Sequence, residues 1–271
     1  MIALKRGALA LLNRVLPVRL KKALLHASFH LTPDEFEKFA HAYYFAPSMR
    51  LGLAALAARG FTPTEIIDVG AYEGNWSIAA KAIWPDAALT MVEPNEAKLS
   101  LLSKIAGDLN GGVVCELLGA NDGETVTFYV MGSGSSVMNE HSSLPRTKVQ
   151  RPLKTLDSLL RDAAGPALLK IDAQGYELEI LKGASRVLTT TEAVLLEVSL
   201  IEINKGAPLF HDVIAFMQDR GFLVADILEI HRRPLDGATN QIDLLFLRDS
   251  SPLFADKRHF APTATAPGQN D

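Results

Sequence analysis

Four acids stand at or near the ends of apolar runs: Asp68 after Ile66-Ile67, Glu93 after Met91-Val92, Asp172 after Leu168-Leu169-Lys170-Ile171, and Glu197 within Ala193 to Leu200. Carboxylates in such places can do three kinds of work. They repel phosphate and attract a cation. They accept a pair of hydroxyls, such as those of a ribose. They also take the proton of a hydroxyl that attacks as a nucleophile. Asp68 suits the first role, Glu93 the second, and Asp172 with Glu197 the third. Glu93 follows Asp68 by 25 positions, close to the ~20 residues at which an acid meets a ribose in nucleotide-binding α/β folds.

Between the first two acids runs Gly70-Ala71-Tyr72-Glu73-Gly74-Asn75-Trp76. A dinucleotide loop needs a further glycine where Tyr72 stands, so that the backbone can meet a pyrophosphate. With Asp68 beside it, the loop suits a positively charged guest without phosphate, and S-adenosylmethionine carries a sulfonium and an ammonium. Asp68 would act on its methionine end through a loop amide or a water. The expected cofactor contacts are Asp68, Gly70, Ala71, Tyr72, Gly74, Asn75, Trp76, Glu93 and Pro94, with Asn75 as N-cap of the next helix. The paired acids Asp172 and Glu197 could hold a metal, but no third ligand stands at a convincing spacing, and none is expected. His141 and His231 fall on loops and are weaker candidates for a base, and His211 reads as a helix-face residue.

These residues need a sheet to hold them. The pattern alternates strand and helix from Glu65. Strands are expected at 65–69, 89–92, 113–118, 125–130, 167–172, 193–200, 222–230 and 241–247. Asn121-Asp122-Gly123 reads as a turn that sets 125–130 against the preceding strand as a hairpin. Residues 137–150 read as irregular, after the polar loop Gly132-Ser133-Gly134-Ser135-Ser136. The last two strands are joined by a short loop and are expected to be antiparallel. The fold class is α/β: a Rossmann-like, doubly wound, mostly parallel seven-stranded sheet with an antiparallel end strand and an N-terminal helical extension. The expected divisions are a helical extension at 1–60, the main domain at 61–249 and a disordered tail at 250–271.

Composition sets the bounds. The 271 residues are 48% hydrophobic and 21% charged, with a net charge of −4, which gives no overall field for nucleic acid. The single Cys115 excludes an internal disulfide, and a reducing cytoplasm is the expected setting. Residues 1–30 carry six Lys and Arg and no acid. Leucines between them make an amphipathic face, which would pack on the domain, on a second copy in a homodimer, or on the inner face of an anionic membrane.

With these stretches in view, the chain resembles the FkbM-type family of S-adenosylmethionine-dependent methyltransferases. The likeness rests on Ile67 to Trp76, Val92-Glu93-Pro94, Leu169 to Ala184, Leu196-Glu197-Val198-Ser199 and Gln241 to Phe246, within residues 60–248. Lys170 to Ala184 is its specific part. Where the family often has an acid after the third strand, Gly119-Ala120-Asn121 stands here, so Asn121 or Asp122 would take the adenine contact. The resemblance implies O-methylation of sugars, glycolipids or secondary metabolites.

Two other readings use the same residues. A doubly wound NAD-dependent oxidoreductase or epimerase would need the missing glycine and a Tyr-x-x-x-Lys pair, and no tyrosine here has lysine four residues on. A non-catalytic, membrane-associated relative would use the basic N-terminus as its anchor.

Overall fold

The computed structural model describes residues 16–160 and 165–259. Three helices come first: α1 (Val18–Leu31), α2 (Pro33–Tyr44) and α3 (Met49–Ala58). Pro33 opens α2 at its first turn, where its missing N–H costs nothing. Ser48 caps α3 by accepting from the Leu51 amide. The part of the expected amphipathic N-terminus at 1–15 lies outside the described residues.

The main sheet has seven strands: β1 (Glu65–Val69), β2 (Ala88–Val92), β3 (Gly111–Val114), β7 (Ala167–Ile171), β8 (Thr191–Ser199), β9 (Phe222–Arg232) and β10 (Thr239–Arg248). Their order is β3-β2-β1-β7-β8-β10-β9. The first five run parallel, and β10 is antiparallel to both β8 and β9. Chain order runs outward from β1 through β2 to β3 on one side and from β7 to β8 on the other, where β10 then inserts between β8 and the edge strand β9. The reversal between β1 and β7 opens a crevice at the carboxyl ends of these strands, where such sheets bind ligands.

The central strands are nearly continuous apolar runs because helices cover both faces. On one face Ile67, Val69, Leu169, Leu196 and Phe246 pack with α7 (Glu177–Lys182), α8 (Ser185–Thr190) and α9 (Phe210–Gln218). On the other, Ile66, Leu168, Leu195 and Leu245 pack with α3, α4 (Asn75–Ile83) and α5 (Leu99–Leu109). Alternation along β1 and β7 therefore buries Asp68 and Lys170 on this second face.

Three local expectations are corrected. Residues 113–118 are not one strand: β3 ends at Val114, and β4 (Leu117–Leu118) joins a small separate sheet of order β4-β6-β5. In it β5 (Thr125–Val130) pairs antiparallel with β6 (Thr147–Lys154), not in a hairpin with the preceding strand. The sequence hid β6 because its outward positions carry charge and Pro152 interrupts it; the strand buries only Leu153 fully. The tail also begins later than residue 250. Ser251 is buried, Leu253 and Phe254 pack on the core, and Arg59 donates to the Leu253 carbonyl at 3.0 Å. Residues 260–271 lie outside the described residues.

Candidate active site

A cleft of about 730 Å³, including its open mouth, lies at the carboxyl ends of β1, β2 and β7. Of the residues expected at the site, Gly70, Tyr72, Glu93, Pro94 and Asp172 line it. Its other polar walls come from Glu116, the serines of the 132–136 loop, Gln174 and Tyr176. Three carboxylates thus face the cleft, and no lysine, arginine or histidine is among its lining residues.

The loop after β1 is shaped by its neighbours. Gly70 has φ +75°, and a Cβ there would stand 1.9 Å from the Asp172 carbonyl oxygen. Only glycine lets the ends of β1 and β7 come this close. Tyr72 also adopts the left-handed region, at φ +47°, which costs a non-glycine residue on the order of 1 kcal/mol. Its amide donates to Glu93 Oε2 at 2.8 Å, and its ring lies 3.9 Å from Lys98 Nζ. Glu93 Oε1 accepts from the Asn95 amide at 2.9 Å. Burial raises the Glu93 pKa, and these two amides only partly offset the rise. Each oxygen keeps a second lone pair for a hydroxyl donor.

Asp68 does not reach the cleft. It is fully buried beneath it, taking Ser77 Oγ–H on Oδ2 at 2.6 Å and lying 3.1 Å from Lys170 Nζ through Oδ1. That ion pair sits off the line of a hydrogen bond, and Oδ1 has no hydrogen-bond donor. Strand alternation explains this: Asp68 points to the face of β1 covered by α3, α4 and α5, and Val69 carries the chain to the crevice. Lys170 also lies 3.6 Å from Asp172 Oδ2 and donates to the Gly70 carbonyl at 3.2 Å. Burial would depress the Lys170 pKa, but the two carboxylates outweigh it and raise it. The lysine thereby ties a buried acid, the glycine loop and the cleft acid together.

Four other expected contacts sit behind the loop. Ala71 is buried with its amide on the Val92 carbonyl. Gly74 is the N-cap of α4, and Asn75, expected there, is its first residue. The Trp76 ring is 5.9 Å from Lys170 Nζ, and its Nε1 is buried without an acceptor. None of these four lines the cleft. Asn121 and Asp122 do not line the cleft either. Asp122 takes the Thr155 amide at 2.8 Å and Ser158 Oγ–H at 2.8 Å, bracing Thr155, the N-cap of α6 (Leu156–Leu159), while Asn121 turns to Glu124. Glu116, on the stretch where the chain leaves the main sheet, is the acid that lines the cleft on that side. Reading 113–118 as one unbroken strand concealed it.

On the other wall the turn after β7 is held from both sides. Gln174 adopts φ +53°. Its Nε2 donates to Asp172 Oδ1 at 3.0 Å and to Glu197 Oε1 at 3.1 Å. Glu197 is thus joined to Asp172 through one amide, although it does not itself line the cleft. Gln241 Nε2 donates to Glu197 as well. Burial, then the neighbouring Asp172 and Asp243, push the Glu197 pKa well up. Beneath the turn, buried Glu177 Oε1 accepts the amides of Ala173 at 2.9 Å and Gly175 at 3.0 Å. Burial raises its pKa to about 7. From the other side, Ser136 donates to the Gln174 carbonyl at 3.0 Å, and Asn204 Nδ2 donates to the same oxygen at 2.7 Å. The 132–136 loop is therefore a wall of the cleft.

The histidines stand apart from it. His141 pairs with Glu202 and His211 with Asp212, both at exposed positions. His231 Nε2 lies 2.7 Å from Asp243 Oδ2, which raises the His231 pKa. With Glu229 these two bring one ligand atom each to within 4.8 Å of one another, and Asp243 faces Glu197 in the strand register.

The methyltransferase FkbM domain model matches residues 68–224. Among solved structures, a methyltransferase FkbM from Methylobacillus flagellatus KT is 16% identical, with a TM-score of 0.42 over 67% of this chain and 43% of that one. Magnesium protoporphyrin IX methyltransferase from Synechocystis PCC 6803, solved with bound SAM, is 11% identical, with a TM-score of 0.43 over 73% of this chain and 77% of that one. Precorrin-6y C5,15-methyltransferase from Geobacter metallireducens GS-15 is 13% identical, with a TM-score of 0.43 over 74% and 87%. The chain spans less than half of the first of these. No curated protein matches it.

Proposed function

The chain belongs to the FkbM family of methyltransferases, and from that premise we propose that it moves a methyl group from S-adenosylmethionine to a hydroxyl of a carbohydrate, glycolipid or secondary-metabolite acceptor. The observation that carries this reading is the charge of the cleft: Glu93, Glu116 and Asp172 face it, with no cationic side chain among its lining residues. Such a wall favours a sulfonium and an ammonium, and it disfavours the pyrophosphate of NAD.

When bound, S-adenosylmethionine supplies a methyl carbon already activated by a positive sulfur. The chain's own residues do the rest. Glu93, fixed by the Tyr72 and Asn95 amides, offers its remaining lone pairs to the ribose hydroxyls. Gly70 leaves room at the crossing of β1 and β7. Leu117, Leu118, Phe128 and Ile180 line an apolar section suited to the adenine ring. Asp172 stands at the cleft wall with Lys170 and Gln174 fixing its two oxygens. It would orient the acceptor hydroxyl and take its proton as the oxygen–carbon bond forms. The wall formed by the 132–136 loop limits the entry of competing water.

Titration calorimetry with S-adenosylhomocysteine and with NAD tests the cofactor. Binding of the first and not the second is expected, and the reverse order would reject the reading. Transfer of labelled methyl to fractionated glycans and lipids then tests the acceptor. Label found on nucleic acid or protein instead would reject the hydroxyl assignment.

A further inference from the structure

We propose that α1 lies on an anionic lipid bilayer, apart from whatever reaction the cleft performs. The helix carries two adjacent stripes. Leu20, Leu24, Ala27 and Leu31 follow each other at spacings of three and four residues, as do Arg19, Lys22, His26 and His30. Both stripes are exposed. Leu20 is 45% accessible, Leu24 52% and Leu31 80%, against a core in which leucine is typically near zero. At the far end of α2, Tyr44 and Phe45 are 73% and 87% accessible. Large apolar side chains left in water at helical spacing mark a surface that meets a partner.

Charge selects the partner. Before Asp34 the chain has no acid, and residues 1–15, outside the described residues, add Lys5, Arg6 and Arg14 to the three cations of α1. Residues 1–30 thus carry +6, while the remainder of a chain of net −4 carries −10. An apolar stripe beside a basic one is the pattern that lies in the headgroup layer of an anionic membrane. No helix among the described residues is long and apolar enough to cross one, so the contact is peripheral. The acidic body would be turned away from the lipid by the same field.

Sedimentation of the full chain with vesicles tests this. Vesicles of phosphatidylcholine with a third phosphatidylglycerol should pull the protein down. Vesicles of phosphatidylcholine alone should not, and 0.5 M salt should release it. Leu20→Glu with Leu24→Glu should abolish pelleting. Arg19→Glu with Lys22→Glu, both at exposed positions, should weaken it by roughly fivefold or more per residue. Leu235→Glu, on the exposed loop between β9 and β10, should leave it unchanged. Thermal melting of each variant shows whether it is folded, and the charge pair decides the matter if the leucine pair is not. No pelleting with phosphatidylglycerol, equal pelleting with both lipids, or indifference to the charge pair would overturn the proposal. So would a concentration-dependent dimer that is lost in the leucine variant while vesicles stay unbound.

Discussion

The amide of Tyr72 donates to Glu93 Oε2 at 2.8 Å, joining the loop after β1 to the tip of β2. Tyr72 is strained at φ +47°, and this bond helps to hold it there. Glu93 therefore has two duties. It fixes the loop from beneath and presents its remaining lone pairs to the cleft. Asn95 on Oε1 keeps the carboxylate from rotating.

Glu93→Ala should consequently lose both duties. It leaves two amides without their acceptor, a cost of about 1–3 kcal/mol each if they stay buried. Affinity for S-adenosylhomocysteine should fall by roughly a hundredfold, about 2.7 kcal/mol. Glu93→Gln keeps the shape but turns an N–H donor toward one of the two amides, and should be intermediate. Calorimetry for affinity and thermal melting for stability check both variants. Unchanged affinity in Glu93→Ala would remove the ribose role.

Lys170 is buried with Asp68 at 3.1 Å and Asp172 at 3.6 Å. Removing one partner of a buried pair leaves an uncompensated charge and typically costs about 3–5 kcal/mol. Lys170→Met should therefore unfold at much lower denaturant than the wild type. Adding Asp68→Asn removes the stranded carboxylate and should restore part of the loss. A double-mutant cycle by urea denaturation measures the coupling, expected to exceed 1 kcal/mol. Additive effects would mean that the pair contributes nothing to the fold.

Much of this was legible in the sequence, and the exceptions have physical causes. The crevice followed from alternating strands and helices, and Glu93, Gly70 and Asp172 followed from their places at strand tips. Asp68 lies beneath the cleft rather than in its wall because the two-residue period of a strand turns it away. Lys170 is the signal for that, since a lysine inside Leu168-Leu169-Lys170-Ile171 demands a buried carboxylate. Glu116 and Gln174 were missed for another reason. Glu116 depends on where the chain leaves one sheet for another, and Gln174 on a left-handed turn that side chains of remote segments hold. Neither leaves a local pattern. Glu177 stands in the first turn of α7, where the helix dipole favours any acid, and only its burial under the preceding turn shows that it holds the amides on either side of Gln174.

Asp172→Asn separates binding from chemistry. Asparagine keeps the size of the side chain and its link to Gln174, but it cannot take a proton. Cofactor affinity should change by less than about threefold, while kcat falls by roughly 10²–10⁴, the usual contribution of a general base. The comparison needs a methyl-transfer assay beside calorimetry. Wild-type turnover in this variant would take Asp172 out of the mechanism and leave it a structural partner of Lys170 and Gln174.

The last prediction concerns pH. Burial raises the Glu177 pKa to about 7, against an ordinary carboxylate value of 4.5. The folded state thus holds this proton more tightly than the unfolded one. The stabilisation is fully present below pH 4.5 and is lost as pH rises through 7. Its full size is on the order of 3–4 kcal/mol. Glu177→Gln mimics the neutral form, and its oxygen can still accept the Ala173 and Gly175 amides. The variant should therefore gain on the wild type steadily between pH 5 and pH 7.5 and keep a constant offset above that. Thermal melting of both proteins across this range measures the difference. If the two curves stay parallel, Glu177 does not titrate in that window, and its carboxylate is held ionised by the two amides it caps.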